Sequence, residues 1–178
     1  NEIMILEKED KKYKKLMEWL KRSLKEKVII FSFYRGTLAY LERRLNTDGF
    51  KTCLIMGGQN KDRNKTLDEF KSSTGPDILL SSEVGSEGID LQFCRVVINF
   101  DLPWNPMKLE QRIGRVDRLG QKAERISIIN LVVEETIEDR VLMRLYERID
   151  IFKESIGDLE EILGDINEEF LLDLYNPE

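Results

Sequence analysis

VIIFSFYRGTLAYLERRLNTDGFKTCLIM, residues 28–56, changes hydrophobic period twice. The run 28–33 is apolar except for Ser32 and rich in β-branched residues, as in a strand buried on both faces. Over 37–46, Leu38, Leu41 and Leu45 return at helical spacing, and TCLIM at 52–56 is again strand-like. Upstream, a helical pattern over 9–25 sets Tyr13, Leu16, Met17, Leu20 and Leu24 on one side and lysines on the other. Downstream, strand-like runs recur at 77–82, 95–100 and 126–133, separated by helical patterns at 61–71 (Leu67, Phe70) and 106–119. Five strands alternating with helices predict an α/β fold, in which right-handed crossovers build a mainly parallel sheet with helices on both faces. Ligands of such sheets lie outside the carboxyl ends of the strands, so chemistry is expected after Phe33, Ser82 and Phe100.

The composition narrows that chemistry. The chain has 178 residues, 41% hydrophobic and 35% charged, enough for one such domain. It contains no histidine, which removes the commonest general base, Ser-His and Cys-His dyads and every histidine-bearing zinc site. Cys53 and Cys94 lack C-x-x-C spacing and read as small buried residues, so no metal site is expected. No apolar stretch approaches the ~20 residues of a membrane helix and no signal-peptide pattern opens the chain, so a cytoplasmic protein without a membrane partner is expected. A start at Asn1, on a helical pattern, leads us to expect a piece of a longer polypeptide.

The net charge of −6 is unevenly spread. Residues 1–130 carry 24 basic and 19 acidic side chains, and 131–178 carry 4 and 15. Phosphate affinity follows the local field rather than the total, so the body remains eligible for nucleic acid, although the same charges also suit a merely solvated surface. After Val133 the pattern is helical only: Thr136 and Asp139 resemble a capping box, with a stripe of Val141, Leu142, Leu145, Ile149 and Phe152. A second stripe runs through Leu159, Ile162, Leu163, Ile166, Phe170 and Leu174. Both suit packing on the parent domain or a partner's groove. The expected division is an N-terminal helix at 1–26, the α/β domain at 27–135 and an acidic helical extension at 136–178.

Two segments carry candidate chemistry. In NPMKLEQRIGRVDRLGQ, residues 105–121, Asn105 suits a helix cap, Pro106 a first turn and Gly120 a stop. Arg112, Arg115 and Arg118 follow at three-residue intervals, bringing three guanidinium groups within about two turns. Glu110, Asp117 and water would satisfy them; alternatively Arg115 and Arg118 point at a phosphate chain. In LLSSEVGSEGIDLQ, residues 79–92, Gly85 and Gly88 permit positive φ and close backbone approach, and Asp90 suits a ribose hydroxyl or a neighbouring arginine. Strand, glycine turn and acid also occur in many α/β proteins without that role.

Together, SSEVGSEGIDL and VVINFDLPWNPMKLEQRIGRVDRLGQ resemble motifs five and six of superfamily-two helicases. The Trp104-Asn105-Pro106 turn and the ending Arg118-Leu119-Gly120-Gln121 resemble the Swi/Snf-type DNA translocases, and within them the bacterial RNA-polymerase-associated ATPases. VIIFSFYRGTLAYLERRL resembles motif four, and GGQNKDRNKTLDEF the segment after it, with Gly58, Arg63 and Phe70. The resemblance covers about residues 27–155.

The resemblance implies the second of two RecA-like motor domains, with ATP in the cleft between them. Neither a Gly-Lys phosphate loop nor an acidic pair after a buried strand is present, since Asp68-Glu69 falls in a helical pattern. ATP and Mg²⁺ would thus be held mainly by an N-terminal lobe, and this chain alone would be inactive. By similarity, Arg115 and Arg118 are arginine fingers and Gln111 contacts or couples the phosphate end. Gly88 and Asp90 bind nucleotide, while Ser82, Arg35 and Arg63 contact nucleic-acid backbone. Gly57-Gly58 stands where the family usually has His-Gly, and Glu83 and Glu87 place negative charge on the presumed nucleic-acid side. Trp104 reads as a packed anchor for the motif-six helix. The implied partners are the double-stranded DNA backbone, the N-terminal lobe and a nucleoprotein such as RNA polymerase. Two other classes stay open: a non-catalytic module recruiting a protein through the acidic helices, and a stand-alone NTPase.

Overall fold

Val28–Phe31 forms β1, the middle strand of a five-stranded sheet, in a computed structural model that describes residues 10–57, 63–86, 88–89, 91–103, 106–114, 116, 126–133, 136, 139–140 and 142–143. The chain runs α1 (Lys11–Ser23), β1, α2 (Arg35–Thr47), β2 (Thr52–Ile55), α3 (Arg63–Lys71), β3 (Ile78–Ser81), α4 (Glu83–Ser86), β4 (Val96–Asn99), α5 (Pro106–Ile113) and β5 (Ser127–Asn130). The strand order is β2-β3-β1-β4-β5 and all four pairings are parallel. The predicted five strands and their alternation with helices are all present, each strand four residues long and shorter than its apolar run. The patterns at 9–25, 37–46 and 61–71 become α1, α2 and α3. The helix expected over 106–119 starts at Pro106 as anticipated, but α5 ends at Ile113.

Register arranges the interior in rows. Ile29, Leu79 and Val97 stand beside Cys53 in one row, and Ile30, Leu80 and Ile98 in the next. Alternate residues face opposite sides, so the rows feed two clusters. On one face Ile30, Leu80 and Ile98 meet Leu16 and Leu20 of α1 and Leu38, Leu41 and Leu45 of α2. On the other, Ile29, Leu79 and Val97 meet Leu67 and Phe70 of α3 together with Ile89, Leu91, Cys94 and Val116. Both cysteines are buried as expected, and desolvation pushes the thiols up, Cys53 to about 12 and Cys94 to about 11.

The faces also report chain direction. The crossover from β1 outward to β2 carries α2 on one face, and the returns toward and beyond β1 carry α3 and Ile89, Leu91 and Cys94 on the other. A reversal of direction with a change of face is what a constant crossover hand requires. Hence β1 sends its onward chain to one face while its neighbours β3 and β4 send theirs to the opposite one. The carboxyl end of β1 is therefore the topological switch point, where a crevice opens.

α1 is tied to α2 by polar contacts outside the core. Asp10 caps α1 by accepting from the Tyr13 N–H at 2.9 Å and also accepts the Tyr40 hydroxyl at 2.8 Å. The Tyr13 hydroxyl donates to Asp48 at 2.6 Å, and burial together with that carboxylate raises the phenol's pKa. Of the first C-terminal stripe, Leu142 is buried with Leu102 and Leu109, so the start of the extension packs on the domain. Val141, Leu145, Ile149, Phe152 and the whole second stripe lie outside the described residues.

Candidate functional site

Among the described residues, the buried polar and charged ones are Ser32, Ser81, Ser82, Asn99, Asp101 and Arg112. Ser81 and Asn99 end β3 and β4, Ser32, Ser82 and Asp101 follow β1, β3 and β4, and Arg112 packs there from α5. All six thus gather at one edge of the sheet, the carboxyl edge, around the switch point. Burying polar groups costs free energy unless they are paired, so their concentration marks the place where composition departs from what a core alone requires.

Two hydrogen-bonded groups occupy this edge. The first centres on the turn after β2. Ser82 Oγ accepts from the Gly57 N–H at 3.3 Å and from the Gly85 N–H at 3.0 Å, capping the single-turn helix α4. Arg35, at the start of α2, donates through its guanidinium to the Gly57 carbonyl. Gly57 therefore joins Ser82 and Arg35, two residues expected on the nucleic-acid side, through its own N–H and C=O. Ser82 has accepted twice and keeps its O–H as a donor. Gly85 must be glycine: a Cβ there would stand 2.5 Å from the Ile55 carbonyl oxygen. The two glycines have separate reasons, since Gly88 has open space around it but a φ of +70°.

The second group joins β1, β4, α4 and α5. Asp101 accepts the Ser32 hydroxyl and, at 2.7 Å, the Phe33 N–H. Arg112 Nη1 donates to Asn99 Oδ1 at 2.9 Å and to the Asp101 carbonyl at 3.0 Å, while Asn99 Nδ2 donates to Asn130 at 2.8 Å. The guanidinium lies 5.4 Å from the Phe31 ring centre, and its Nε stands 3.6 Å from Glu83 Oε1. Glu83 Oε2 receives Lys108 Nζ at 3.1 Å. Burial lowers the Arg112 pKa, and the Glu83 and Asp101 charges oppose that shift. A guanidinium remains a cation under these conditions. Outside this network Phe33 and Tyr34 project into solvent with their rings edge to face at 5.3 Å.

Several expectations are corrected here. Glu83 does not present free negative charge to a nucleic acid, because Lys108 and Arg112 draw its carboxylate inward. Arg112 is buried rather than solvated, and its described partners are Glu83, Asn99 and Asp101. The sequence held the signal: Leu109 and Arg112 are three apart on α5 and both buried, and Val116, buried just beyond the helix, continues the same spacing. Segment 79–92, read as a glycine turn, contains a helical turn. Asp101 and Ser32 were missed although Ser32 directly follows β1 and Asp101 comes two residues after β4. Gln111 is exposed on α5, Gly88 is exposed after α4, and Arg63 opens α3 half-buried. Asp90, Arg115, Arg118, Trp104, Asn105, Gly58 and Glu87 lie outside the described residues. No helix among the described residues is long and apolar enough to cross a membrane.

Residues 11–120 match the family described as the helicase conserved C-terminal domain. The chain belongs to this family. Among curated relatives, it is 42% identical over 146 residues to an uncharacterized ATP-dependent helicase, YqhH, of Bacillus subtilis, covering 82% of this chain and 26% of that protein. The RNA polymerase-associated protein RapA of Sodalis glossinidius is 36% identical over 79% of this chain and 15% of its own length. For RapA of Klebsiella pneumoniae the figures are 32%, 92% and 17%. The chain therefore spans about a quarter or less of these relatives. Among solved structures, the C-terminal part of the Fun30 ATPase domain superposes with a TM-score of 0.65 at 32% identity, covering 75% of this chain and 43% of that one. The C-terminal domain of the DEAD-box protein Dbp5 gives 0.65 at 25%, covering 79% of each. The helicase C-terminal domain thus has here the parallel sheet that the alternation of strands and helices predicted, with the RecA-like character that the resemblance implied.

Proposed function

We propose that this chain is the second motor domain of an ATP-dependent, Swi/Snf-type translocase acting on double-stranded nucleic acid. The observation that carries the reading is the gathering of Ser32, Ser81, Ser82, Asn99, Asp101 and Arg112 at the carboxyl edge of a helicase C-terminal sheet. A binding edge needs oriented polar groups there, whereas a structural scaffold does not.

The roles divide along that edge. Ser82 and Arg35, joined through Gly57, face nucleic-acid phosphates: the free Ser82 O–H and the guanidinium are donors to backbone oxygens and carry no base information. Arg63 adds a cation to the same side. Arg115 and Arg118 reach the terminal phosphate of ATP as fingers, Gln111 adjoins that phosphate end, and Gly88 with Asp90 meets the ribose. The described residues fit half of a nucleotide wall, with Gly88 and Gln111 exposed where a second lobe can close on them. ATP supplies the phosphoryl chemistry when bound. The phosphates and Mg²⁺ belong to the first lobe, and this chain contributes charge stabilisation and closure. A nucleoprotein such as RNA polymerase is the proposed context, by likeness to the RapA proteins.

The test is steady-state phosphate release by the complete polypeptide with duplex DNA. Replacing Arg115 or Arg118 with alanine is expected to lower kcat by roughly 10³ to 10⁵, with KM for ATP changing far less. Residues 1–178 alone are expected to release no phosphate above background. Robust turnover by this chain alone, or a complete gene lacking an upstream phosphate-binding loop, overturns the reading in favour of a stand-alone NTPase or a non-catalytic module respectively.

A further inference from the structure

We propose that Glu83 and Arg112 form a buried positioning pair that fixes the rotation of α5, and with it the chain leading to Arg115 and Arg118, against the carboxyl end of β3. The inference rests on the finger reading of those two arginines. It concerns residues that touch neither nucleotide nor nucleic acid.

The geometry is a grip at two points. Lys108 and Arg112 are four residues apart on α5 and hence on one face of it, and the Glu83 carboxylate lies across both, Oε2 at 3.1 Å from Lys108 and Oε1 at 3.6 Å from Arg112. The other edge of the Arg112 fork is held by Asn99 and the Asp101 carbonyl, and its guanidinium lies against Phe31. One side chain therefore registers α5 simultaneously against β1, β4 and α4. A turn of α5 about its axis breaks contacts on at least one edge of the fork, which no apolar side chain would report.

Energetics argues that position, rather than stability, is what the pair supplies. Arg112 is 1% exposed, yet its Nε and Nη2 make no hydrogen bond, so part of its desolvation is unrecovered. A well-packed apolar residue at such a site is often as stabilising as a buried ion pair, or more so. Phe31 beneath the guanidinium and the buried Leu109 on the same helix show that the surroundings accept apolar side chains. A cation there gives up stability and gains direction.

Apolar replacement separates the two roles. In the complete polypeptide, Glu83→Gln and Arg112→Lys are each expected to lower DNA-stimulated kcat by about tenfold or more, the scale of a small misplacement of catalytic groups, with KM for ATP within about threefold. The double variant Glu83→Leu with Arg112→Met is expected to regain thermal stability at or above the parent while kcat stays low. Recovery of kcat in that apolar pair, or full kcat in Glu83→Gln, overturns the proposal. Should Arg115→Ala itself keep parental kcat, the finger reading fails independently. The pair is then judged by amide hydrogen exchange of residues 106–116 in this chain. Glu83→Gln is expected to speed exchange there about tenfold while α1 and α2 stay unchanged, and unaltered exchange at 106–116 overturns the proposal.

Discussion

The middle rows of the sheet and its carboxyl edge are built from the same strands under different rules. In the row of Cys53, Leu79, Ile29 and Val97 every side chain is buried and apolar or nearly so, and position is enforced by volume alone. Two residues further along, Ser81 and Asn99 flank Phe31, and Ser32 and Ser82 just beyond their strands, with Asp101 one residue beyond Phe100, are equally inaccessible but hydrogen-bonded. Apolar contact is non-directional, whereas hydrogen bonds fix angles. The strands thus hold the domain together at their centres and aim groups at their ends.

That contrast can be broken experimentally. The largest loss is expected in the apolar layer, where Phe70→Ala removes a fully buried ring packed on Phe93 and should cost about 3–5 kcal/mol in urea unfolding. A smaller loss, about 1.5–3 kcal/mol, is expected for Asp101→Asn, which weakens the acceptor shared by Ser32 and the Phe33 N–H. Here the Phe33 amide should exchange faster than the β1 amides, and uniform acceleration would erase the distinction between aimed edge and packed centre.

The smallest effect sharpens the apolar side. The Cys94 thiol titrates at about 11 when folded, against an ordinary 9.0, so the unfolded chain releases that proton first as pH rises. Its contribution is complete below pH 9 and is lost between about pH 9 and 11, amounting to about 1 kcal/mol at pH 10. Cys94→Ala should therefore show a shallower fall in stability between pH 8 and 10 than the parent. Equal slopes would mean that the layer admits charge more readily than its burial implies.

Much of this arrangement was legible beforehand, for local reasons. Leu38, Leu41 and Leu45, or the unbroken VIIF of β1, state their secondary structure by period, and alternation of the two periods leads to a parallel sheet with its site at the carboxyl edge. Boundaries were less legible: the helix expected to reach residue 119 ends at Ile113, and Ser82 with Glu83 starts a helical turn inside a glycine-rich stretch. The site was half legible. Ser82 follows β3 at the expected edge and meets Arg35 through Gly57, but that meeting depends on β2 lying beside β3, which the sequence does not state.

By itself, then, the sequence determined the fold class and the family and pointed to the carboxyl edge where the buried polar groups gather, because periodicity and motif order are properties of neighbours along the chain. Only the tertiary structure decided that Arg112 is an internal strut, that Glu83 turns inward and that Asp101 braces Ser32 and Phe33. Those roles are set by residues 11 to 69 positions away, brought within hydrogen-bonding or ion-pairing distance by strand order and register. A charge is solvated or buried according to what the rest of the chain places beside it.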